Sequence, residues 1–140
     1  MIKVVLFISG GILPVLALAT IPTIFYSFMQ GNMEYGLLLI TLALITFLLS
    51  FLIRKFVLPT RQLTTIQGFG AVGLSWIFMS FFGTVPYLLS GIDLSYINIL
   101  FETVSGLTTT GSSILIDINS VDKSLLIWRS TTQWLGVWAS

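Results

Sequence analysis

The 140 residues hold six Lys and Arg and five Asp and Glu, for a formal charge of +1, and the mean hydropathy is +1.03. So little charge cannot cover a soluble domain of this length, so the chain is an integral membrane protein, and its balance points to no nucleic-acid partner. Cysteine and histidine are both absent, which removes disulfides, thiol chemistry, and the commonest metal ligand and general base.

Val4 to Met29 is uncharged and, as a helix, long enough to span a bilayer with tilt. Pro14 is expected to kink it, and Pro22 to kink it or loosen its outer end. The stretch also fits a secretory signal, with Lys3 ahead of an apolar core and Ala17-Leu18-Ala19 at the cleavage position. Apolar sequence continues past Ala19, which favours a retained span. Gln30-Gly31-Asn32-Met33-Glu34 reads as a polar turn. Tyr35 to Ile53 is a second span, stopped by Arg54 and Lys55, with Pro59, Thr60 and Arg61 continuing the loop. Lys3, Arg54, Lys55 and Arg61 fall on one side, which the positive-inside rule makes cytoplasmic. The N-terminus is then inside, and Glu34 and Asp93 are outside. Residues 1–61 form a first unit of two leading helices and a cytoplasmic loop.

Ile66 to Ile92 is a third apolar run, closed by Asp93. It opens with Gly68-Phe69-Gly70-Ala71-Val72-Gly73, which matches the G-x-G-x-x-G dinucleotide pattern. No strand precedes it and no ribose-binding acid follows at the usual distance, so that reading fails. Close helix packing is the better one, with Gly73, Ser80 and Gly83 near one face, interrupted by Trp76 and Ile77.

After Asp93 the pattern changes. Ser95 to Leu107 reads as a helix with Asp93 or Ser95 as its cap, too short to cross the hydrocarbon. It meets Gly106 and then Thr108-Thr109-Thr110-Gly111. Ser112 to Ile118 can return in extended form to the same surface. Ser120 can cap a last helix from about Asp122. This is a re-entrant hairpin, and irregular backbone at membrane depth needs protein or a watery cavity around it. Carbonyls of residues 108–111, freed from helical bonding, can replace the water around a cation. Gly111 reaches backbone angles closed to threonine. Two other readings stay open: a Thr-rich helix end with Gly111 as an ordinary cap, and an exterior loop, against which Leu107, Ile114, Leu115 and Ile116 argue. Glu102 and Arg129 are the charges expected at membrane depth. Each lies seven residues into a descending helix, so the two are expected to meet and brace the hairpin, directly or through filter backbone. Arg129 snorkelling to the headgroups is the other reading. Trp128, Trp134 and Trp138 read as packing or interface anchors.

Phe101-Glu102-Thr103-Val104-Ser105-Gly106-Leu107-Thr108-Thr109-Thr110-Gly111 resembles the first filter segment of the Trk/Ktr family of bacterial potassium-uptake proteins, most closely their TrkH-like membrane subunits. Trp128-Arg129-Ser130-Thr131-Thr132-Gln133-Trp134-Leu135-Gly136 resembles the start of that family's next helix. The resemblance is strongest over about residues 68–136. It implies an all-α integral membrane fold: two leading transmembrane helices, then one helix–pore helix–filter–helix repeat over 62–140, its last helix partial. It implies potassium as the transported ion, with Thr108, Thr109 and Thr110 supplying carbonyls, Gly111 as filter glycine, Glu102 and Arg129 in support, and no cofactor or other metal. Related transporters with serine at the glycine position favour sodium, so Gly111 implies potassium. Family members carry four repeats, form dimers in the lipid of the bacterial inner membrane, and are gated by a cytoplasmic nucleotide-binding regulatory subunit.

One repeat is present here, not four, and Val137-Trp138-Ala139-Ser140 replaces the usual glycine-rich continuation. A truncated or partial sequence, or a degenerate paralogue, is therefore expected. The leading function is that of the N-terminal part of a potassium-uptake protein, awaiting its remaining repeats. The alternatives are a small membrane modulator that docks on a full-length relative, and a one-repeat subunit of a homotetrameric cation channel. No nucleophile–base pair or ligand cluster points to an enzyme.

Overall fold

A proline offers no N–H to its helix, and its ring crowds the carbonyl four residues back. The first and third apolar runs both break at this point. Helix α1 (Ile2–Ala19) continues through Pro14 but stops short of Pro22, and α2 (Ile21–Met29) restarts with that proline in its first turn. Thr20 closes the gap by donating its N–H (3.3 Å) and its hydroxyl (2.7 Å) to the Ala17 carbonyl. The third run divides at Thr84 into α4 (Thr65–Gly83) and α5 (Val85–Leu89), with Pro86 opening the second piece. Helix α3 (Met33–Phe56) is unbroken, and begins two residues earlier than the sequence suggests because the Asn32 side chain accepts the Tyr35 N–H at 3.2 Å. Beyond these lie α6 (Tyr96–Leu107) and α7 (Lys123–Ala139).

The computed structural model describes residues 2–57 and 64–139. Pro59, Thr60 and Arg61, and the boundary placed between residues 61 and 62, lie outside them. Leu6–Met29, Met33–Phe56 and Thr65–Leu89 are each long and apolar enough to cross a membrane. No strand occurs among the described residues. Leu44, Phe47, Leu48 and Phe51 of α3 face outward, as a lipid-facing surface requires. The protein is an all-α, multi-pass membrane protein.

Helices α1 and α3 run antiparallel and approach closely at Gly10. The Ser50 hydroxyl donates to the Gly10 carbonyl at 2.5 Å, and a Cβ at Gly10 would stand 2.9 Å from Ile53 Cγ2. Arg54 lies 5.9 Å from the centre of the Phe7 ring, so the end of α3 sits beside the start of α1. At the opposite end Asn32 donates to Asp122 (3.5 Å) and Ser124 donates to Gln30 (3.2 Å). These bonds tie the α2–α3 turn to the start of α7. Asp93, Asp117 and Asp122 surround one crevice of about 610 Å³ at that end. Lys3, Arg54 and Lys55 therefore share one end of the bundle, and these three carboxylates, with Lys123, share the other.

The buried side of α4 is Ala71, Ser75, Met79 and Gly83, repeating every four residues. Gly83 packs as expected: a Cβ there would lie 2.6 Å from Thr103 Cγ2 on α6. Its carbonyl also accepts the Trp128 indole N–H at 3.0 Å, which fixes α7. Gly73 does not belong to this face. It is exposed, with nothing within 4 Å, because ten residues of helix turn it about 80° from Gly83. Trp128 is a core residue beside Tyr87, Ile99, Leu107 and Leu125, whereas Trp134 and Trp138 are exposed.

Gly83→Ala should therefore destabilise the purified protein by about 1–3 kcal/mol, as overpacked cores do. Gly73→Ala should be neutral or gain up to about 1 kcal/mol from helix propensity. The loss of helical circular dichroism on heating in detergent measures both, and equal midpoints would contradict the α4–α6 contact.

Candidate functional site

Twelve residues make α6 about 18 Å long, well short of the ~30 Å hydrocarbon core. Ser95 caps it, accepting the Asn98 N–H at 3.4 Å; Asp93 stays in the preceding loop. The helix ends at Leu107, and the next four residues alternate in handedness. Thr108 has φ −81°, Thr109 has φ 57°, Thr110 is back at negative φ, and Gly111 has φ 76°. Such alternation departs from both helix and strand, so these peptide groups are not engaged in regular backbone pairing. Glycine is at ease at positive φ. A β-branched threonine is not, and holding Thr109 there costs about 1–3 kcal/mol.

No hydrogen bond reaches the carbonyl oxygens of Thr108, Thr109 or Thr110 among the described residues. The Thr108 hydroxyl donates back to the Val104 carbonyl at 2.7 Å and lies 2.8 Å from the Thr110 hydroxyl. Residues 108–113 are all exposed. The hairpin thus presents an open row of unpaired carbonyls, which can take the place of water around a monovalent cation.

Behind this row the backbone is tied down. The Ser105 hydroxyl donates to the Ser112 carbonyl at 2.6 Å, and the Gly111 N–H reaches the Ser105 carbonyl at 3.4 Å. Glu102 Oε1 accepts the Ser113 hydroxyl (2.7 Å) and the Ile114 N–H (2.6 Å). Its Oε2 accepts the Arg129 Nε–H at 3.0 Å, and Glu102 has no exposed side-chain surface against 21% for Arg129. Arg129 also donates to the Gly111 carbonyl at 3.3 Å. The structure therefore brings Glu102, Arg129 and Gly111 together, with the charged pair in direct contact and Arg129 also bonded to the Gly111 carbonyl.

The return limb, residues 112–117, forms neither helix nor paired strand, and it ends one residue sooner than expected because Ile118 enters a 3₁₀ turn, Ile118–Ser120. The expected cap of α7 is corrected. Ser120 does not cap α7, because its hydroxyl closes that turn on the Asp117 carbonyl at 2.8 Å. Asp122 is the cap, accepting the Ser124 N–H at 2.7 Å.

The sequence reading assigned no special geometry to Thr109 and no part in the site to Gly106, Thr132 or Gly136. A Cβ on Gly106 would collide with the Thr132 hydroxyl, and one on Gly136 with the Leu107 carbonyl oxygen. Small residues on two helices joined by a short hairpin were the available signal for the glycines. Nothing in the sequence marks Thr109 as left-handed. Among the described residues no group of three or more His, Cys, Asp or Glu side chains could hold a metal ion, the three aspartates of the crevice included.

A buried charge stripped of its partner costs about 3–5 kcal/mol. Glu102→Gln and Arg129→Gln should each cut the yield of folded, membrane-inserted protein, and the double variant should lose clearly less than the sum. Simple additivity in that cycle would show that the two residues do not cooperate.

Residues 31–139 match the TrkH family, described as cation transport protein. The chain is 44% identical over 70 residues to the Trk system potassium uptake protein TrkI of Halomonas elongata, which covers 50% of this chain and 14% of that protein. It is 31% identical over 136 residues to an uncharacterised cation transporter of Methanocaldococcus jannaschii, covering 96% of this chain and 28% of the relative. It is 30% identical over 138 residues to the Trk system potassium uptake protein TrkH of Halomonas elongata, again over 96% and 28%. The chain thus spans between 14% and 28% of the length of these relatives. No solved structure matches it. The chain belongs to the TrkH family of cation transport proteins.

Proposed function

We propose that this chain is the N-terminal part of a potassium-uptake protein of the bacterial inner membrane, and that Thr108, Thr109, Thr110 and Gly111 form one filter segment of its ion path. The observation that carries the reading is the exposed row of unpaired carbonyls at residues 108–110, held in alternating handedness. Carbonyl oxygens so arranged suit a large, weakly hydrated monovalent cation without any charged ligand. Relatives named as Trk system potassium uptake proteins support potassium as that cation. Glu102 and Arg129 brace the segment from behind and do not touch the ion.

An open row on one hairpin supplies one side of a pathway. The remaining sides come from further repeats, and relatives about four times longer favour more chain over more copies. The complete protein works as a dimer with a cytoplasmic nucleotide-binding regulatory subunit, needs no cofactor and performs no catalysis. Its N-terminus is cytoplasmic, in keeping with Lys3, Arg54 and Lys55 at one end of the bundle.

The filter reading is tested by Gly111→Ser in the complete transporter. A Cβ there has only Gln133 Nε2 within reach, at 4.0 Å, but φ 76° strains any side chain. Potassium-over-sodium discrimination should fall while the amount of protein in the membrane holds. Unchanged selectivity, with unchanged growth of a potassium-uptake-deficient host at limiting potassium, would remove the filter assignment. Orientation is tested separately. Cysteines at Asn32, Asp93 and Asn119 should react with an impermeant reagent in intact cells, and one at Thr60 should not; the reverse pattern would turn the topology over.

A further inference from the structure

Helix α7 passes the base of the hairpin with no side chain between. Gly136 is buried there. A Cβ on it would collide with the Leu107 carbonyl oxygen, and would stand 2.8 Å from the Leu107 carbonyl carbon and 2.9 Å from Thr109 Cγ2. Two of these three atoms are backbone, so no rotamer change clears them. They belong to the peptide that leads into Thr108 and to the threonine held at φ 57°. A β-branched residue leaves that region unless its surroundings confine it. On its other side the Thr109 N–H is held by the Gly106 carbonyl at 3.0 Å, and Gly106 is itself pressed against Thr132 of α7. Thr109 is caught between the end of α6 and the bare backbone of α7.

We propose that Gly136 is a specificity-determining position of the transporter: the flat patch it leaves on α7 sets the left-handed turn at Thr109, and with it the spacing of the carbonyls that meet the cation. The inference rests on the reading of Thr108–Gly111 as filter. Gly136 touches no ion. It is a positioning residue, acting through the Leu107 peptide and the Thr109 side chain. Selectivity depends on the size of the oxygen cage and the number of oxygens in it. A methyl group at 136 must displace the Leu107 peptide, which changes the cage without removing an oxygen. Discrimination between ions should therefore suffer more than the amount of folded protein. Gly68, Gly70 and Gly73 of α4 give the contrast, since a Cβ on any of them meets nothing within 4 Å.

The test uses the complete transporter in proteoliposomes, with potassium and sodium uptake read on the same preparation. Gly136→Ala should lower the potassium-to-sodium ratio by at least about threefold, and Gly73→Ala should leave it unchanged. Thr109→Gly, which removes the methyl contact and the left-handed constraint together, should lower it too. The double variant should be no worse than the worse single one, because both act on one peptide. If Gly111→Ser alters the ratio while Gly136→Ala does not, the proposal is overturned and the filter reading stands. If neither alters it, the filter reading fails with it. Should Gly136→Ala not accumulate in the membrane, Thr109→Gly carries the test: a lowered ratio supports the proposal and an unchanged ratio overturns it.

Discussion

A carboxylate with no exposed surface in a membrane protein is the constraint around which the hairpin is arranged. Glu102 satisfies it by taking three donors: the Ser113 hydroxyl, the Ile114 N–H and the Arg129 guanidinium. Two of the partners are neighbours on the return limb and the third is on α7. A single buried charge thus fixes the return limb and α7 against α6 at once. Losing any donor leaves the others holding an under-satisfied charge where water cannot compensate. Neutral hydrogen bonds would hold the same segments less firmly, since those to charged groups are roughly twice as strong.

Glycine and threonine do the complementary work of closeness. Gly83, Gly106 and Gly136 each sit where a Cβ has no room, and all three face a threonine side chain. The threonines meanwhile return their hydroxyls to backbone, as Thr103 does to Ile99 (2.9 Å) and Thr132 to Arg129 (2.7 Å). Helices can then touch without stranding polar atoms in an apolar setting. The breaks at Thr20 and Thr84 follow the same economy. Each threonine returns its hydroxyl to the carbonyl three residues back, at 2.7 and 2.6 Å, just ahead of a proline.

Much of this is written in local sequence. Charge spacing marks the spans, and Asp93 and Ser95 mark where the short helix α6 begins. Counting residues from two helix starts was enough to anticipate that Glu102 and Arg129 meet, because both helices descend from one surface. Most other contacts between segments were not legible. Gly73 and Gly83 look alike in sequence, yet only one has a neighbour, since that depends on which way α4 faces. Ser120 and Asp122 are both good caps, and the choice between them turned on a 3₁₀ turn that used up the serine. The left-handed Thr109 was hidden most deeply: it contradicts the residue's own preference and exists only because of what surrounds it.

The bonds that shape the hairpin all close within a short stretch of chain. Glu102 and Arg129 are 27 residues apart, and Ser105 reaches Ser112 across seven. Biogenesis inherits an advantage from this. Contacts of low sequence separation form early and quickly, and a ribosome adds about 5–20 residues per second. The hairpin can therefore lock within seconds of α7 leaving the ribosome, with no need of contacts from outside this stretch. A unit whose shape is settled by its own sequence can also be copied within a gene and altered one copy at a time. Each copy of such a unit would be free to diverge, as the identical subunits of a symmetric channel are not.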